Sequence, residues 1–300
     1  MSEEPANPAG VRSPTIEWQV AGACNYDCSY CIQSPRYRRG RPDAGQLDAA
    51  IAFFAALPGV WEIKCSGGEA FAHPLFLGRV VPGLMAETAH HISVLTNLSA
   101  SREELARFVD LTRGRLRVLS ASLHLEFVSI EEFVAKARWL QDQLAPEVRL
   151  VVNEVVLPHK MDEAQAAKEA VERAGLRWFP QLYKVKRGGV GGVAEYPDAA
   201  ALTALIGESP GPTEANLAPS YFGRLCWAGV DYFTVDKDGS VWSCRTAKRH
   251  GEGRLGNLYD GSAQRWIDAT PCPYTICPCT VPANRGMIDG VGAATTLEAE

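Results

Sequence analysis

Three cysteines near the start of the chain have the side-chain type and the spacing of metal ligands. Cys24, Cys28 and Cys31 follow a C-x3-C-x2-C pattern. Thiolate is the softest side-chain ligand and holds iron–sulfur clusters, so the three can converge on one [4Fe–4S] cube. The loop up to residue 40 contains no further Cys or His, which a structural zinc knuckle would need. One iron of such a cube is therefore open to a ligand that is not protein.

A second group of cysteines lies in the last third of the chain. Its members are Cys226, Cys244, Cys272, Cys277 and Cys279, and the ninth cysteine, Cys65, stands alone. Because the cytosol keeps thiols reduced and the chain has no export signal, we expect no disulfides. The grouping predicts two metal sites, with Cys65 packed in a sheet. A zinc ribbon held by four cysteines is the alternative for the second group.

Alternating strands and helices must position these cysteines. The apolar patterns predict six strands, at 15–21, 60–65, 92–95, 116–123, 148–156 and 176–183. Helices are predicted at 47–57, 75–89, 162–174 and after the capping pairs Ser101/Glu104 and Ser129/Glu132. Parallel strands need crossover connections, so this alternation predicts an α/β fold with a parallel sheet or a partial (βα)6 barrel.

Functional groups in such folds gather where the parallel strands end. At the predicted strand ends lie the cysteine loop, Gly67-Gly68-Glu69, Asn97, His124, Glu154 and the segment 181–184. Ser122 lies at the end of one predicted strand, and Asn153 and Glu154 lie within the next. Because side chains alternate along a strand, only one of Asn153 and Glu154 can point inward. The sequence thus predicts a site assembled from every βα repeat.

The segments after the sixth strand are less regular. Segment 184–192 (KVKRGGVGG) has no following Gly-Lys-Ser/Thr and no helix, so we interpret it as a mobile linker or lid rather than a phosphate loop. A last barrel helix is predicted at 197–206, a hairpin at 231–235 and 240–244, and a short helix at 260–269. The predicted divisions are a disordered arm 1–14, the barrel 15–206, a linker 207–225, a cysteine-rich domain 226–282 and a loose tail 283–300.

Composition excludes several classes of function. The 300 residues are 46% hydrophobic, and a net charge of −5 gives no global reason to bind nucleic acid or a membrane surface. We find no apolar run of about 18 residues and no signal peptide, so we expect a soluble, cytoplasmic protein. The basic residues Arg36, Arg38, Arg39 and Arg41 are interpreted as a solvated loop rather than an anion site.

The first triad, followed one βα unit later by Gly67-Gly68-Glu69, resembles the signature of the radical S-adenosylmethionine (SAM) superfamily. The aromatic residue that this signature places before the third cysteine is Tyr30. The resemblance implies a partial TIM-like barrel in which Cys24, Cys28 and Cys31 hold a [4Fe–4S] cluster. The amino and carboxylate groups of SAM would chelate the open iron of that cluster.

The same resemblance implies which residues contact SAM. Tyr30 would contact the adenine, and Gly67, Gly68 and Glu69 would receive the methionine amino group. The two glycines would let backbone carbonyls approach the ammonium, and Glu69 would add a complementary charge. We further expect SAM contacts from two polar residues at the strand ends, Asn97 and Ser122.

The second cysteine group resembles the SPASM/twitch extensions of that superfamily. The spacing from Cys226 through Gly239 to Cys244 fits their C-x(9–15)-G-x4-C element, and 255–258 (LGNL) resembles the segment that follows it. A full SPASM extension has more cysteines than the five here, which fit one auxiliary [4Fe–4S] cluster on a small twitch-like hairpin/helix domain. Cys226 and Cys244 are the expected ligands, completed from Cys272, Cys277 and Cys279.

The resemblance implies a radical SAM oxidoreductase or maturase. An electron donor, a reductase, flavodoxin or ferredoxin, would reduce the first cluster, and a 5′-deoxyadenosyl radical from SAM would remove a substrate hydrogen atom. The auxiliary cluster could accept a second electron, which favours dehydrogenation of a sugar or aminocyclitol-like specialised metabolite. His124 or Glu154 would take the accompanying proton, although each could equally be a hydrogen-bonded strand terminus.

Two other functions are compatible with the sequence. One is cross-linking or epimerisation of a ribosomal peptide; the fourteen residues before the first strand leave little room for the leader-binding domain that many such relatives carry. The other is a non-catalytic iron–sulfur electron carrier or scaffold, which would not require Gly67-Gly68-Glu69.

Overall fold

One open sheet of nine strands organises the fold. The computed structural model describes residues 12–35, 37–187, 190–207, 220–277 and 279–291. Across the sheet the strands run in the order β12 (Arg254–Asn257), β11 (Ser240–Trp242), β10 (Tyr232–Val235), β1 (Thr15–Ala21), β2 (Glu62–Gly67), β3 (His91–Thr96), β4 (Leu116–Leu123), β5 (Arg149–Val156) and β6 (Arg177–Leu182). Within the described residues the two end strands are not paired with each other. β1 to β6 are parallel and β10 joins β1 in parallel, whereas β11 and β12 are antiparallel. The predicted partial barrel is confirmed.

The six parallel strands lie close to their predicted positions. They are β1 Thr15–Ala21, β2 Glu62–Gly67, β3 His91–Thr96, β4 Leu116–Leu123, β5 Arg149–Val156 and β6 Arg177–Leu182. The helices among and after them are α1 Ala44–Ala55, α2 Val81–Glu87, α3 Arg102–Leu111, α4 Ile130–Gln141, α5 Met161–Arg173 and α6 Ala199–Ile206. Ser101 and Glu104 form the predicted capping box, and the Ser129 side chain accepts from the Glu132 N–H.

The helix predicted at 75–89 is interrupted. Phe76–Val80 forms a π-helical turn, and α2 begins only afterwards, with Pro82 in its first turn. Proline has no N–H to donate and its ring crowds the preceding turn, so a regular α-helix cannot run through this point.

The two faces of the sheet differ in chemistry. Ile16, Trp18 and Ile63 point toward the helices, where they are fully buried together with Phe54 of α1. Cys65 lies on this apolar face with no exposed surface, as predicted. The alternate positions point inward and are largely polar, so the apolar core lies between sheet and helices and leaves the interior for a site.

The C-terminal segment adds strands to the same sheet. β10 Tyr232–Val235 pairs with β1, and β11 Ser240–Trp242 and β12 Arg254–Asn257 extend that edge. Two helices that the sequence did not predict follow, α7 Arg245–His250 and α8 Thr280–Asn284, along with a small sheet of β9 Leu225–Cys226 and β13 Thr270–Pro271. The prediction of a helix at 260–269 is wrong: the segment consists of a turn, irregular backbone and a bend.

Two segments expected to be loose are ordered where they are described. β7 Lys184–Arg187 and β8 Val190–Val193 form an antiparallel hairpin in place of the predicted mobile linker. In the predicted tail, Arg285, Met287 and Ile288 are buried, and Arg285 pairs with Glu62 of β2 at 2.9 Å. Residues 1–11 of the predicted arm and 208–219 of the predicted linker lie outside the described residues. None of the described helices has the length and apolarity to cross a membrane.

Candidate functional site

A cavity of about 330 Å³ at the carboxyl ends of the strands collects most of the predicted site residues. The predicted residues that line it are Cys24, Cys28, Tyr30, Cys31, Gly67, Gly68, Glu69, Asn97, Ser122, His124 and Cys279. The inward positions of three neighbouring strands add Ser120, Asn153 and Gln181. Elements far apart in sequence therefore meet at one cavity, and both cysteine groups reach it.

Gly67 and Gly68 allow two backbones to touch. A Cβ on Gly67, which has φ +141°, would stand 2.0 Å from the Ala21 carbonyl oxygen, and one on Gly68 would stand 2.2 Å from that of Ala23. The Gly68 N–H donates to Ala21 and the Glu69 N–H donates to Ala23, at 2.8 and 3.0 Å. The glycines therefore fix the start of the cysteine loop against β2. This close backbone contact explains why glycine is needed at both positions, whereas we had expected the need to come from the approach to an ammonium.

The carboxylate of Glu69 is buried and nearly saturated with hydrogen bonds. It accepts from the Phe71 N–H, the Thr96 hydroxyl and the Asn97 N–H at 3.1, 2.8 and 2.7 Å. Burial raises its pKa, and the three donors act in the opposite direction. A carboxylate has about four acceptor positions, so roughly one remains for a cation in the cavity.

The cysteine loop is held by contacts that the sequence did not predict. Glu126 accepts from both the backbone N–H and the hydroxyl of Ser29, the former at 2.8 Å. Asn97 donates to the side chain of Asn25 at 3.0 Å, and the Tyr26 ring stacks on Phe127 with centroids 4.3 Å apart. The only sequence signal for Glu126 was its place just beyond a strand end.

His124 holds Tyr30. The Tyr30 hydroxyl and His124 Nδ1 lie 2.9 Å apart, and the two rings are stacked. Burial lowers the pKa of His124 to about 4 and raises that of Tyr30. The imidazole is therefore neutral at neutral pH, with one ring nitrogen committed to Tyr30.

Glu154 does not line this cavity; its neighbour Asn153 does. Strand alternation turns Glu154 to the other face of β5, where Trp178 Nε1 donates to Glu154 Oε2 at 3.1 Å. Burial raises the pKa of Glu154 to about 8, so the carboxyl is mostly protonated at neutral pH. The expectation that Glu154 faces the substrate is thus corrected to Asn153.

The second cysteine group is assembled from four segments. Cys226 ends β9, Cys244 immediately precedes α7 and accepts from the Ala247 N–H at 3.2 Å, and Cys279 precedes α8. Burial, followed by the charges of Cys279, Cys244 and Cys272, raises the pKa of Cys277 to about 12. Cys272, Cys277 and Cys279 are buried, Cys226 and Cys244 are partly buried, and Cys279 also lines the cavity.

Both cysteine groups suit iron–sulfur clusters by their donor sets. Both groups consist of thiols, the side-chain ligands that hold iron–sulfur clusters. The first group places three of them in one loop, and backbone contacts fix where that loop begins. In the described part of the chain, no three Cys, His, Asp or Glu side chains converge as ligands of a single ion. A cube binds its cysteines on different irons, so its ligands stand farther apart than those of one ion.

One member of the predicted basic loop belongs to the cavity. Arg38 is only partly exposed, forms an ion pair with Asp27 and lines the cavity. Arg39 and Arg41 are exposed as expected, and Arg36 lies outside the described residues.

The open α/β sheet of this chain is similar in fold to several solved structures. Among solved structures, native anSMEcpe with bound AdoMet and Kp18Cys peptide matches with a TM-score of 0.58 and 15% identity, over 83% of this chain and 79% of that one. Streptococcus suis SuiB bound to S-adenosylmethionine matches with a TM-score of 0.57 and 13% identity, over 83% of this chain and 64% of that one. No protein-family model and no curated protein matches the sequence. At these identities the similarity concerns the fold.

We expect Glu126→Gln to weaken the cysteine loop, because the amide carries no charge, and its bonds to Ser29 would therefore be weaker than those of the carboxylate. After cluster reconstitution, the variant should lose iron to a chelator several-fold faster than the unaltered protein. Glu147→Gln, at an exposed turn away from the loop, is the matched control. Equal rates of iron loss for all three proteins would contradict this role of Glu126.

Glu154→Gln should remove a pH dependence of stability. The folded pKa of about 8 lies above the ordinary 4.5, so the folded state favours the protonated carboxyl and stability falls as pH rises between these values. Glutamine keeps the acceptor for Trp178 without the charge. Urea unfolding at about pH 5.5 and about pH 8.5 should show the variant gaining roughly 1–3 kcal/mol relative to the unaltered protein at the higher pH. If the free energies of unfolding of the two proteins changed equally with pH, the raised pKa of Glu154 would be refuted.

Proposed function

We propose that the chain is a radical SAM enzyme that oxidises its substrate with the help of an auxiliary iron–sulfur cluster. The observation that carries the proposal is a single cavity lined by Cys24, Cys28 and Cys31, by the segment 67–69 and by Cys279. A substrate bound there would lie within reach of both cysteine groups. A pure electron carrier has no need of such a cavity.

The two cysteine groups supply the residues that would hold each cluster. Cys24, Cys28 and Cys31 would hold the SAM-binding cluster, and Cys226 and Cys244, with two of Cys272, Cys277 and Cys279, would hold the auxiliary one. When bound, the reduced cluster and SAM supply a 5′-deoxyadenosyl radical that abstracts a substrate hydrogen atom. The protein positions the substrate and excludes water.

Three side chains have roles that their contacts support. Glu69 would use its remaining acceptor position for the methionine ammonium of SAM, while Thr96 and Asn97 hold the carboxylate in place. His124 would fix Tyr30 against the adenine. With its proton on Nδ1 and directed to the Tyr30 oxygen, His124 would present Nε2 to the substrate proton as a weak base, because burial lowers its pKa to about 4.

The polar wall of the cavity favours a hydroxyl-rich substrate. Ser120, Ser122, Asn153 and Gln181 present hydroxyl and amide groups from the inward faces of β4, β5 and β6. Such groups hydrogen-bond hydroxyls without adding charge. We therefore favour dehydrogenation of a sugar or aminocyclitol-like alcohol.

A peptide substrate is the second candidate. Its support is the fold similarity to anSMEcpe with bound Kp18Cys peptide, and to SuiB bound to precursor peptide SuiA, which matches with a TM-score of 0.53 and 13% identity.

For either substrate, the electron donor would be a flavodoxin, a ferredoxin or a reductase.

The first test is SAM cleavage. Anaerobically reconstituted and chemically reduced protein should release 5′-deoxyadenosine and methionine from SAM, measured by liquid chromatography and mass spectrometry. Cys28→Ala should reduce release at least about a hundredfold, because it removes a ligand of the SAM-binding cluster. Loaded, intact protein that cleaves no SAM would leave only the electron carrier or scaffold.

Iron content tests the auxiliary site independently. Because each cube holds four irons, we expect roughly eight per chain in the reconstituted protein and roughly four in Cys226→Ala/Cys244→Ala. Cys65→Ala, in the apolar core, is the matched control and should keep roughly eight. An unchanged iron content in the double variant would exclude these two cysteines as ligands.

A further inference from the structure

Lys64 is a charged residue on the inward face of the sheet to which the proposed reaction gives no role. It lies in β2, in register with Glu17 of β1 and Ser93 of β3. Its side chain is only partly exposed and lines the cavity. Lys64 lies one inward position before Ser66, so it is farther from the strand end than the segment 67–69.

The charged groups around Lys64 pair with each other and leave its charge in excess. Arg245 Nε donates to Glu17 Oε2 at 2.8 Å, and Arg285 Nη2 donates to Glu62 Oε1 at 2.9 Å. Tyr232 also donates to Glu17, at 2.5 Å. The two acids, Glu17 and Glu62, are thus each paired with an arginine. Within the described residues, no carboxylate lies at ion-pair distance from Lys64.

An ammonium group in this position is unfavourable unless an anion joins it. Removing an ammonium from water costs several kcal/mol, and only a close opposite charge with good geometry offsets that cost. Burial lowers the pKa of Lys64 although Glu17 and Glu62 act in the opposite direction. A negatively charged ligand group in the cavity would supply the missing partner.

The auxiliary cluster does not account for Lys64. The thiols Cys279 and Cys277 influence the pKa of Lys184, so that lysine can offset the charge of a cluster there. Apart from burial, the largest influences on the pKa of Lys64 come from Glu17, Arg285, Glu62 and Arg245, none of which is a thiol. Bases outnumber acids among the residues that line the cavity, where the acids are Glu17 and Glu69 and the bases are Arg38, Lys64, Lys184, Arg245, Arg249 and Arg285. Of these bases, Arg38, Arg245 and Arg285 form ion pairs with Asp27, Glu17 and Glu62.

We propose that the substrate carries an oxyanion, a carboxylate or phosphate group, that binds the Lys64 ammonium inside the cavity. This inference rests on the proposed function, because it names the chemical class of the molecule oxidised there. The oxyanion anchors one end of the substrate, and the hydroxyl and amide groups of Ser120, Asn153 and Gln181 bind its hydroxyls. Asn284, 7% exposed, lines the same cavity with a side-chain oxygen that has no hydrogen-bond partner among the described residues.

The test measures anion binding, without turnover. Cluster-loaded protein with saturating SAM is titrated with inorganic phosphate or with acetate at constant ionic strength, and the thermal unfolding midpoint is recorded. At least one anion should raise the midpoint saturably, by about 2–4 °C, because a ligand that binds only the folded state stabilises it. The anion that binds at the lower concentration identifies the substrate group as phosphate or carboxylate.

Variants assign that binding to Lys64. Lys64→Met keeps the side-chain length without the charge and should weaken anion binding at least about tenfold, whereas Lys64→Arg should retain it within about threefold. Lys168→Met, on α5 outside the cavity, should bind like the unaltered protein. Each anion shift is measured against the same variant without anion, so a change in basal stability does not affect the comparison. If Lys64→Met does not fold, Lys64→Gln replaces it.

The titration is repeated without SAM, and three results would overturn the inference: no saturable shift with either anion under either condition, equal shifts in Lys64→Met and the unaltered protein, or a shift seen without SAM that is lost at saturating SAM. The last result would assign Lys64 to the carboxylate of SAM itself. Anion binding at Lys64 in a protein that cleaves no SAM would contradict the proposed function alone. SAM cleavage without anion binding would contradict this inference alone.

Discussion

The contact between the backbone of Gly67 and Gly68 and the chain leaving β1 is the constraint on which the rest of the site depends. No side chain larger than hydrogen fits there, and the two hydrogen bonds to Ala21 and Ala23 fix where the cysteine loop begins. The next residue, Glu69, is thereby buried beside β3, where it accepts from Thr96 and Asn97. A local requirement for glycine thus sets the relative positions of three strand ends.

The inside of the sheet is polar at the expense of stability. Buried ion pairs such as Glu17–Arg245 and Glu62–Arg285 contribute little net free energy, because desolvation offsets most of the attraction. The stabilising apolar contacts lie on the other face, where Trp18 packs edge-on against Phe54 with centroids 5.1 Å apart. This division leaves the interior free to bind polar ligands.

The C-terminal strands explain how both cysteine groups can serve one site. β10 pairs with β1, the strand that leads into the first cysteine loop, and Arg245 and Arg285 reach from the C-terminal segment to Glu17 and Glu62. The second cysteine group is therefore tied to the barrel by strand pairing and by buried charges. Cys279 lines the cavity as a result of this attachment.

The sequence by itself determined the local features. The cysteine spacing and the capping pairs Ser101/Glu104 and Ser129/Glu132 involve residues close in the chain, and each of the six strands carries its own apolar alternation, so all of these were readable from pattern alone. The same patterns misplaced the helix at 260–269 and the linker at 184–192, where weak local preferences gave way to tertiary packing and strand pairing.

Only the tertiary structure decided which residues meet. The choice of Asn153 over Glu154 depends on which face of β5 turns inward, and period-two alternation leaves that choice open until the sheet has a core side. The support of Ser29 by Glu126 and the excess charge of Lys64 depend on neighbours from other strands. Such partners are set by the register of the sheet, which no spacing along the chain encodes.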